Sequence, residues 1–270
     1  MRSLVMRKQN YYLDGRCVFC RKAFTQAELT DEHIIPEAIN GSLVIRYGSC
    51  KECATRSNQE YENQALNVDL KVPRVLLGLR GKSKGSGPRD ARHMPEVFAG
   101  DTVMGEEGKR LDFPIEDYPK HFSLVQFSQA GLLVGIDRGA TLVSPRVAFF
   151  SLGGNGLENV RTRVPFINGP FAMMIAKIGY CYAMAEYGDD YFDATDIRAL
   201  LMGTRDDVYN FVGNVENPER LSTRHLHGLY FRRRAEWLTV LVHLFASCHS
   251  QQGTNICNPY EVVVGRACEK

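Results

Sequence analysis

Eight cysteines occur in the 270 residues, and four of them form two tight pairs, Cys17/Cys20 and Cys50/Cys53. Each C-x-x-C turns two thiolates toward one point. Two such knuckles make a closed four-cysteine site that suits structural Zn²⁺, an ion that holds the fold and does no chemistry. A small segment has a marginal apolar core, so a metal staple makes physical sense there. The alternative is four ordinary buried cysteines; two pairs of one spacing in a short region argue against it. The pairs enclose 29 residues, Arg21 to Ser49, more than the roughly 15–20 of a plain zinc ribbon. The surplus holds Asp31-Glu32-His33-Ile34-Ile35-Pro36. A carboxylate there is a hard oxygen ligand for Mg²⁺ or a similar ion. The imidazole can take a proton from water near neutral pH. Pro36 and Gly41 then break the apparent strand into a loop. A loop histidine satisfied by the backbone is the alternative for His33. Asp31 reads as a cap or a solvated acid, because adjacency to His33 favours Glu32 as the ligand.

The string C-x-x-C, EHIIP, a Gly, then C-x-x-C leading into a polar helix resembles the HNH endonucleases, in the zinc-knuckle branch of the ββα-metal fold. The resemblance covers roughly residues 15 to 65. It implies that two strands carry the acid–His pair, that the following helix supplies further ligands and that zinc ties the ends together. It implies His33 as the general base that activates water and Glu32 as a ligand of the catalytic divalent ion, Mg²⁺ or Mn²⁺, which would polarise the scissile phosphate. Many relatives place Asn directly after the last Cys, where this chain has Ala54. Asn58 lies one helical turn on and Glu62 one turn further, so both are candidate ligands. A middle Asn is absent from Leu43 to Ser49, which leaves Asn40 as the nearest candidate to orient the catalytic loop. Arg56 is placed to contact phosphate.

Three zones organise the chain: residues 1–70 with the cysteine pairs, a basic Gly/Ser-rich linker at 71–94, and a larger unit at 95–270. In the third zone, 122–136 reads as strands about a turn near Gln129 to Gly131, and Val147–Leu152 as another strand. Pro170 to Tyr187 reads as a helix, and Ala194 to Met202 as a second one, with Asp193 as a possible cap. Residues 228–245 read as one or two strands with a turn near Arg233, and Pro259–Gly265 as a last strand. The expected fold class is α+β, an N-terminal ββα-metal module followed by a larger α+β domain with a mostly antiparallel sheet.

Net charge is +2, but it is unevenly spread. Up to Met94 there are 16 Lys and Arg against 10 Asp and Glu; from Pro95 there are 17 against 21. The basic N-terminal part is compatible with a polyanionic partner. Lys82, Lys84 and Arg89 on the linker are candidates to steer DNA, with a plain soluble linker as the alternative. Arg232 to Arg234 read either as a phosphate patch or as a solvated hairpin turn. Cys248-His249 with Cys257 matches no tight knuckle, and Met173, Met174 and Met184 sit at core spacing. The most apolar stretch, Pro170 to Tyr187, carries Lys177 and Glu186, so no membrane span is expected. The apolar part of the N-terminus is too short for a secretory signal, which points to a cytoplasmic protein.

The reading is a metal-dependent endonuclease acting on DNA, with RNA left open, and compatible with a homodimer. A phage, mobile-element or restriction-like setting is implied by the resemblance alone. The rival is a zinc-dependent nucleic-acid-binding or interaction module without catalysis. A thiol redox protein is a third and weaker idea, since it needs one reactive pair rather than two that bracket a metal core.

Overall fold

The computed structural model describes residues 9–79, 96–99, 110–111, 121–139, 146–151, 160–163, 167–215, 221–222, 224–248 and 258–268. Within them the chain is a mixed α+β protein. The first unit opens with β1 (Gln9–Tyr12), β2 (Leu29–His33) and β3 (Leu43–Cys50). They form a three-stranded sheet in the order β1-β3-β2, with β1 parallel and β2 antiparallel to β3. The helix after the second cysteine pair starts earlier than expected, at Lys51, so that Cys53 lies inside it. It runs as α1 (Lys51–Ser57), a π-helical turn (Asn58–Glu62) and α2 (Asn63–Asn67). A short helix α3 (Lys71–Leu76) follows, inside the zone read as linker. Residues 80–95 lie outside the described residues, and with them Lys82, Lys84 and Arg89.

The rest contributes β4 (Glu96–Ala99), β5 (Arg110–Leu111), β6 (His121–Gln126), α4 (Gly131–Val134), β7 (Arg146–Ser151) and β8 (Val160–Arg163). Then come α5 (Asn168–Tyr187), β9 (Phe192–Asp193), α6 (Thr195–Leu201), α7 (Val208–Phe211) and β10 (Val212–Asn214). The last strands are β11 (Gly228–Arg234), β12 (Trp237–His243) and β13 (Tyr260–Ala267). Strands β10, β13, β12 and β11 form an antiparallel sheet in that order, and β9 also pairs β13. The antiparallel sheet, the long helix and the last strand agree with the sequence reading. The segment after Gly131 differs. The strand expected after Gly131 is a helical turn, closed by the Ile136 N–H on the Gly131 carbonyl and followed by Arg138 N–H donating to Asn210 Oδ1. A short apolar run such as Leu132 to Val134 carries no period that separates strand from helix, so a contact with distant α7 decides it.

Helix α5 organises the core. From Phe171 to Met184 almost every residue is buried, on every face. A helix buried all round must be covered on opposite sides, and α5 is. On one side Phe171 meets the Tyr260 ring of β13 edge-on at 5.5 Å, and Gly179 faces Val262, where an added Cβ would stand 2.7 Å from the valine Cβ. On the other side Tyr180 Oη donates to the Val18 carbonyl in the first knuckle at 2.5 Å, and Tyr11 Oη donates to Glu186 at 2.5 Å. One continuous apolar cluster therefore runs from Cys17 and Val18 through α5 to Val264.

The loop between β2 and β3 is fixed by a close approach. A Cβ at Gly41 would meet the Ile35 carbonyl oxygen at 1.9 Å. That backbone cannot yield without moving the end of β2. Gly41→Ala is expected to destabilise the protein by about 1–3 kcal/mol, in the range of buried overpacking, read as a lower urea midpoint with an unchanged slope. A midpoint equal to wild type would show the loop to be free to rearrange.

A second stability device lies at the end of the first unit. Asp69 is 4% exposed and accepts the Ile167 N–H at 3.1 Å. Burial pushes its carboxyl up to about 7. An acid raised in the folded state holds its proton there while the unfolded chain, near 3.8, has lost it; stability therefore falls as pH rises through that window. Asp69→Asn removes this dependence and keeps the acceptor. Between pH 5 and pH 8 the variant is expected to gain about 2–3 kcal/mol relative to wild type, measured as the difference in denaturation free energy at the two pH values. Equal pH dependence in the two proteins would disprove the assignment.

Candidate active site and metal centre

The cysteine pairs converge. The Sγ atoms of Cys17, Cys20, Cys50 and Cys53 all lie within 4.8 Å of one another, with all but Cys20 buried. Zn–S bonds of about 2.3 Å imply sulfur separations of about 3.8 Å in a tetrahedron, so the four thiols fit one ion. Local backbone explains the approach. Arg21 adopts a left-handed conformation, and its N–H closes on the Cys17 carbonyl at 2.9 Å, which folds the first knuckle. Val18 N–H reaches the Gly48 carbonyl at 2.7 Å and draws that knuckle onto the end of β3. A hydrogen bond from Cys53 pulls the Cys17 thiol down to about 5, while the same contact raises Cys53. Thiols packed this closely cannot all ionise alone; a dication removes the conflict. The cluster suits a structural metal such as zinc. Among the described residues it is the one group of at least three Cys, His, Asp or Glu side chains spaced to hold an ion.

The knuckles are also braced from the C-terminal part. Arg21 pairs with Asp189 at 2.5 Å. Arg56 Nη1 donates to the Met202 carbonyl at 3.0 Å and lies 3.7 Å from both Glu52 and Glu60. Its guanidinium is thus engaged in holding the two parts together.

Glu32 and His33 are consecutive, but their side chains diverge. Consecutive side chains of a strand point to opposite faces. Glu32 turns inward and is 5% exposed. His33, at the end of β2, keeps 29% of its side chain accessible, with Nε2 3.9 Å from Glu37 Oε2. Asp31 takes Arg46 at 2.5 Å and the Tyr47 N–H at 3.2 Å.

The inward carboxylate meets the lysine of the apolar helix α5. Lys177 of α5 is fully buried. Its Nζ lies 2.5 Å from Glu32 Oε1 and 2.9 Å from Glu62 Oε1, and it donates to the His33 carbonyl. Burial alone would lower the Lys177 ammonium, but Glu32 and Glu62 outweigh it and hold the group well above its usual range. Burial pushes Glu32 up against the pull of Lys177. The structure thus brings together two of the expected divalent-ion ligands, Glu32 and Glu62, and sets an ammonium between them. Asn58, the third expected ligand, is exposed. The π-helical turn from Asn58 to Glu62, closed by the Asn63 N–H on the Asn58 carbonyl, replaces the regular turn on which their shared face was argued. It seats Tyr61 in the core. Asn40 is exposed at φ 68° and ends the Glu37–Ile39 turn, its N–H on the Glu37 carbonyl at 2.8 Å.

A strand ending in an acid–His pair, a loop and a second strand, a following helix, and a four-thiol cluster that joins the first turn to that helix are now in place. Residues 17–69 match the HNH endonuclease family. The HNH segment covers the cysteine cluster, β2, β3 and the helix through α2. Searches of curated proteins and of solved structures returned no match. An HNH domain implies nuclease activity, a nucleic acid as substrate and a divalent metal. Among the described residues, no helix is long and apolar enough to cross a membrane.

Outside the HNH segment, Arg233 and Arg234 are exposed at the β11–β12 hairpin, and Arg232 is half-buried. Cys248 is half-buried, while His249 and Cys257 lie outside the described residues. The side chains of Met174 and Met184 are buried in α5. Two residues at the site escaped the sequence reading. Glu37 lies four residues after His33, and Lys177 is 144 residues away from it. The signal for Lys177 was present: a single lysine in the middle of a continuous apolar helix needs a carboxylate partner once buried.

Proposed function

We propose that this chain is an endonuclease that hydrolyses phosphodiester bonds of DNA, with His33 as the general base. The observation that supports this reading best is His33 itself, in a segment that matches the HNH family. It ends a strand, its imidazole reaches the surface beside the Glu37 carboxylate, and its backbone is held from within by Lys177. In this reading the imidazole takes the proton of the attacking water. Glu37 is placed to stabilise the imidazolium that forms. The chemistry expected of a divalent ion, Mg²⁺ or Mn²⁺, is polarisation of the phosphate; it would need ligands other than Glu32 and Glu62, which hold Lys177. The basic residues of the N-terminal part attract the DNA backbone, and the part that follows α3 braces the site through α5.

The test is cleavage of supercoiled plasmid with Mg²⁺, with Mn²⁺ and without an added divalent ion, beside a zinc-loaded His33→Ala variant. Nicking or linearisation that the variant loses supports the reading. One observation favours the rival, a nucleic-acid-binding module without catalysis: the expected metal ligands Glu32 and Glu62 already hold Lys177. Tight DNA binding with no cleavage of any DNA form would decide for it.

A further inference from the structure

We propose that Lys177 is the resident cation of the acidic seat inside the HNH segment, so that Glu32 and Glu62 do not bind a divalent ion in this protein. Three observations carry it. First, the ammonium sits within 2.9 Å of one oxygen from each carboxylate, so a cation already occupies the space between them. Second, the side chain of Lys177 is 1% exposed and that of Glu32 7%, so neither can swing into water without opening the core between α5 and β2. Third, the same ammonium donates to the His33 carbonyl. One group therefore bridges the two carboxylates and fixes the backbone of the residue proposed as the base. Lys177 is a positioning residue.

The competition has a physical basis. A dication needs several oxygens around it, with distances near 2.0–2.4 Å. Here Oε1 of each carboxylate faces the Lys177 nitrogen, and giving both carboxylates to a dication would leave the buried ammonium with no counter-charge, which is costly. Chemistry that the family assigns to a metal-binding carboxylate is thus replaced at this position by an intramolecular ion pair.

The test reads metal uptake rather than cleavage. Mn²⁺ uptake by zinc-loaded protein, followed by electron paramagnetic resonance, is expected to be the same in wild type and Glu32→Gln. Removing the ammonium should create the site that it fills. Lys177→Met is expected to bind one additional Mn²⁺ per chain and to gain several degrees of thermal stability when Mn²⁺ is added. Lys177→Met/Glu32→Gln should lose both effects. Wild-type uptake that Glu32→Gln abolishes would overturn the proposal, as would a Lys177→Met protein that folds and gains no Mn²⁺. Should Lys177→Met fail to fold, the comparison of wild type with Glu32→Gln decides alone. The inference does not depend on the nuclease reading. Absence of cleavage would sink that reading and leave the Mn²⁺ result standing, whereas Glu32-dependent uptake would sink this one and leave His33 as the proposed base.

Discussion

Removing the ion from Cys17, Cys20, Cys50 and Cys53 is expected to unfold the first part of the chain. Structural zinc contributes an apparent 10–16 kcal/mol in small zinc domains, on the order of the whole stability of a typical domain. The cluster joins the first knuckle to the start of α1 through four thiols that lie within 4.8 Å of one another. Without the ion, ionised thiols would repel one another and protonated ones would no longer tie the first knuckle to the start of α1. The core shared with α5 means that the loss will be felt beyond the HNH segment. The purified protein should hold one zinc per chain. A strong chelator, or Cys53→Ser, should lower the melting temperature by about 15 °C or more and expose the remaining thiols to alkylation. Native protein whose four thiols are alkylated at the rate of free cysteine, with no metal released, would rule out the staple. The same result would revive the thiol redox reading.

His33→Ala is expected to lower the rate of DNA cleavage by roughly 10²–10⁴-fold, the usual range for loss of a general base. The expected loss lies in catalysis and not in folding. The side chain is 29% accessible, whereas the backbone carbonyl is what Lys177 holds, and alanine preserves that carbonyl. Zinc content and melting temperature should therefore stay within the small range of surface substitutions. Equal cleavage by the variant would remove His33 from the mechanism. Loss of zinc together with activity would show a structural role instead.

Some of the site was legible in the sequence because its determinants are local. The spacing of Cys17 with Cys20 and of Cys50 with Cys53 announces a pair of knuckles whatever surrounds them, since each turn needs only a few residues. The strand ending at His33 and the loop at Pro36 to Gly41 are set by backbone chemistry within ten residues. Helix α5, the β11–β12 hairpin and β13 were visible as long apolar or alternating runs. The same locality limited the reading of Glu32. Strand alternation places it opposite His33, whereas adjacency to His33 was the ground for preferring Glu32 to Asp31 as a metal ligand.

Other features depend on contacts across the chain. Nothing near Lys177 in sequence names Glu32 and Glu62 as its partners; α5 must first pack onto β2 and the π-helical turn. That turn itself changes which side of the helix Asn58 and Glu62 present, and turn geometry of this kind carries no local signature comparable to a cysteine pair. The turn at Gly131 is likewise decided by its contact with α7. The sequence by itself determined the four-thiol staple, the α+β class and the acid–His motif, because residue type and short-range spacing suffice for each. Only the tertiary structure decided which way each member of that motif faces and what it meets. A buried carboxylate takes its cation from whichever element covers it, and here the covering helix brings an ammonium.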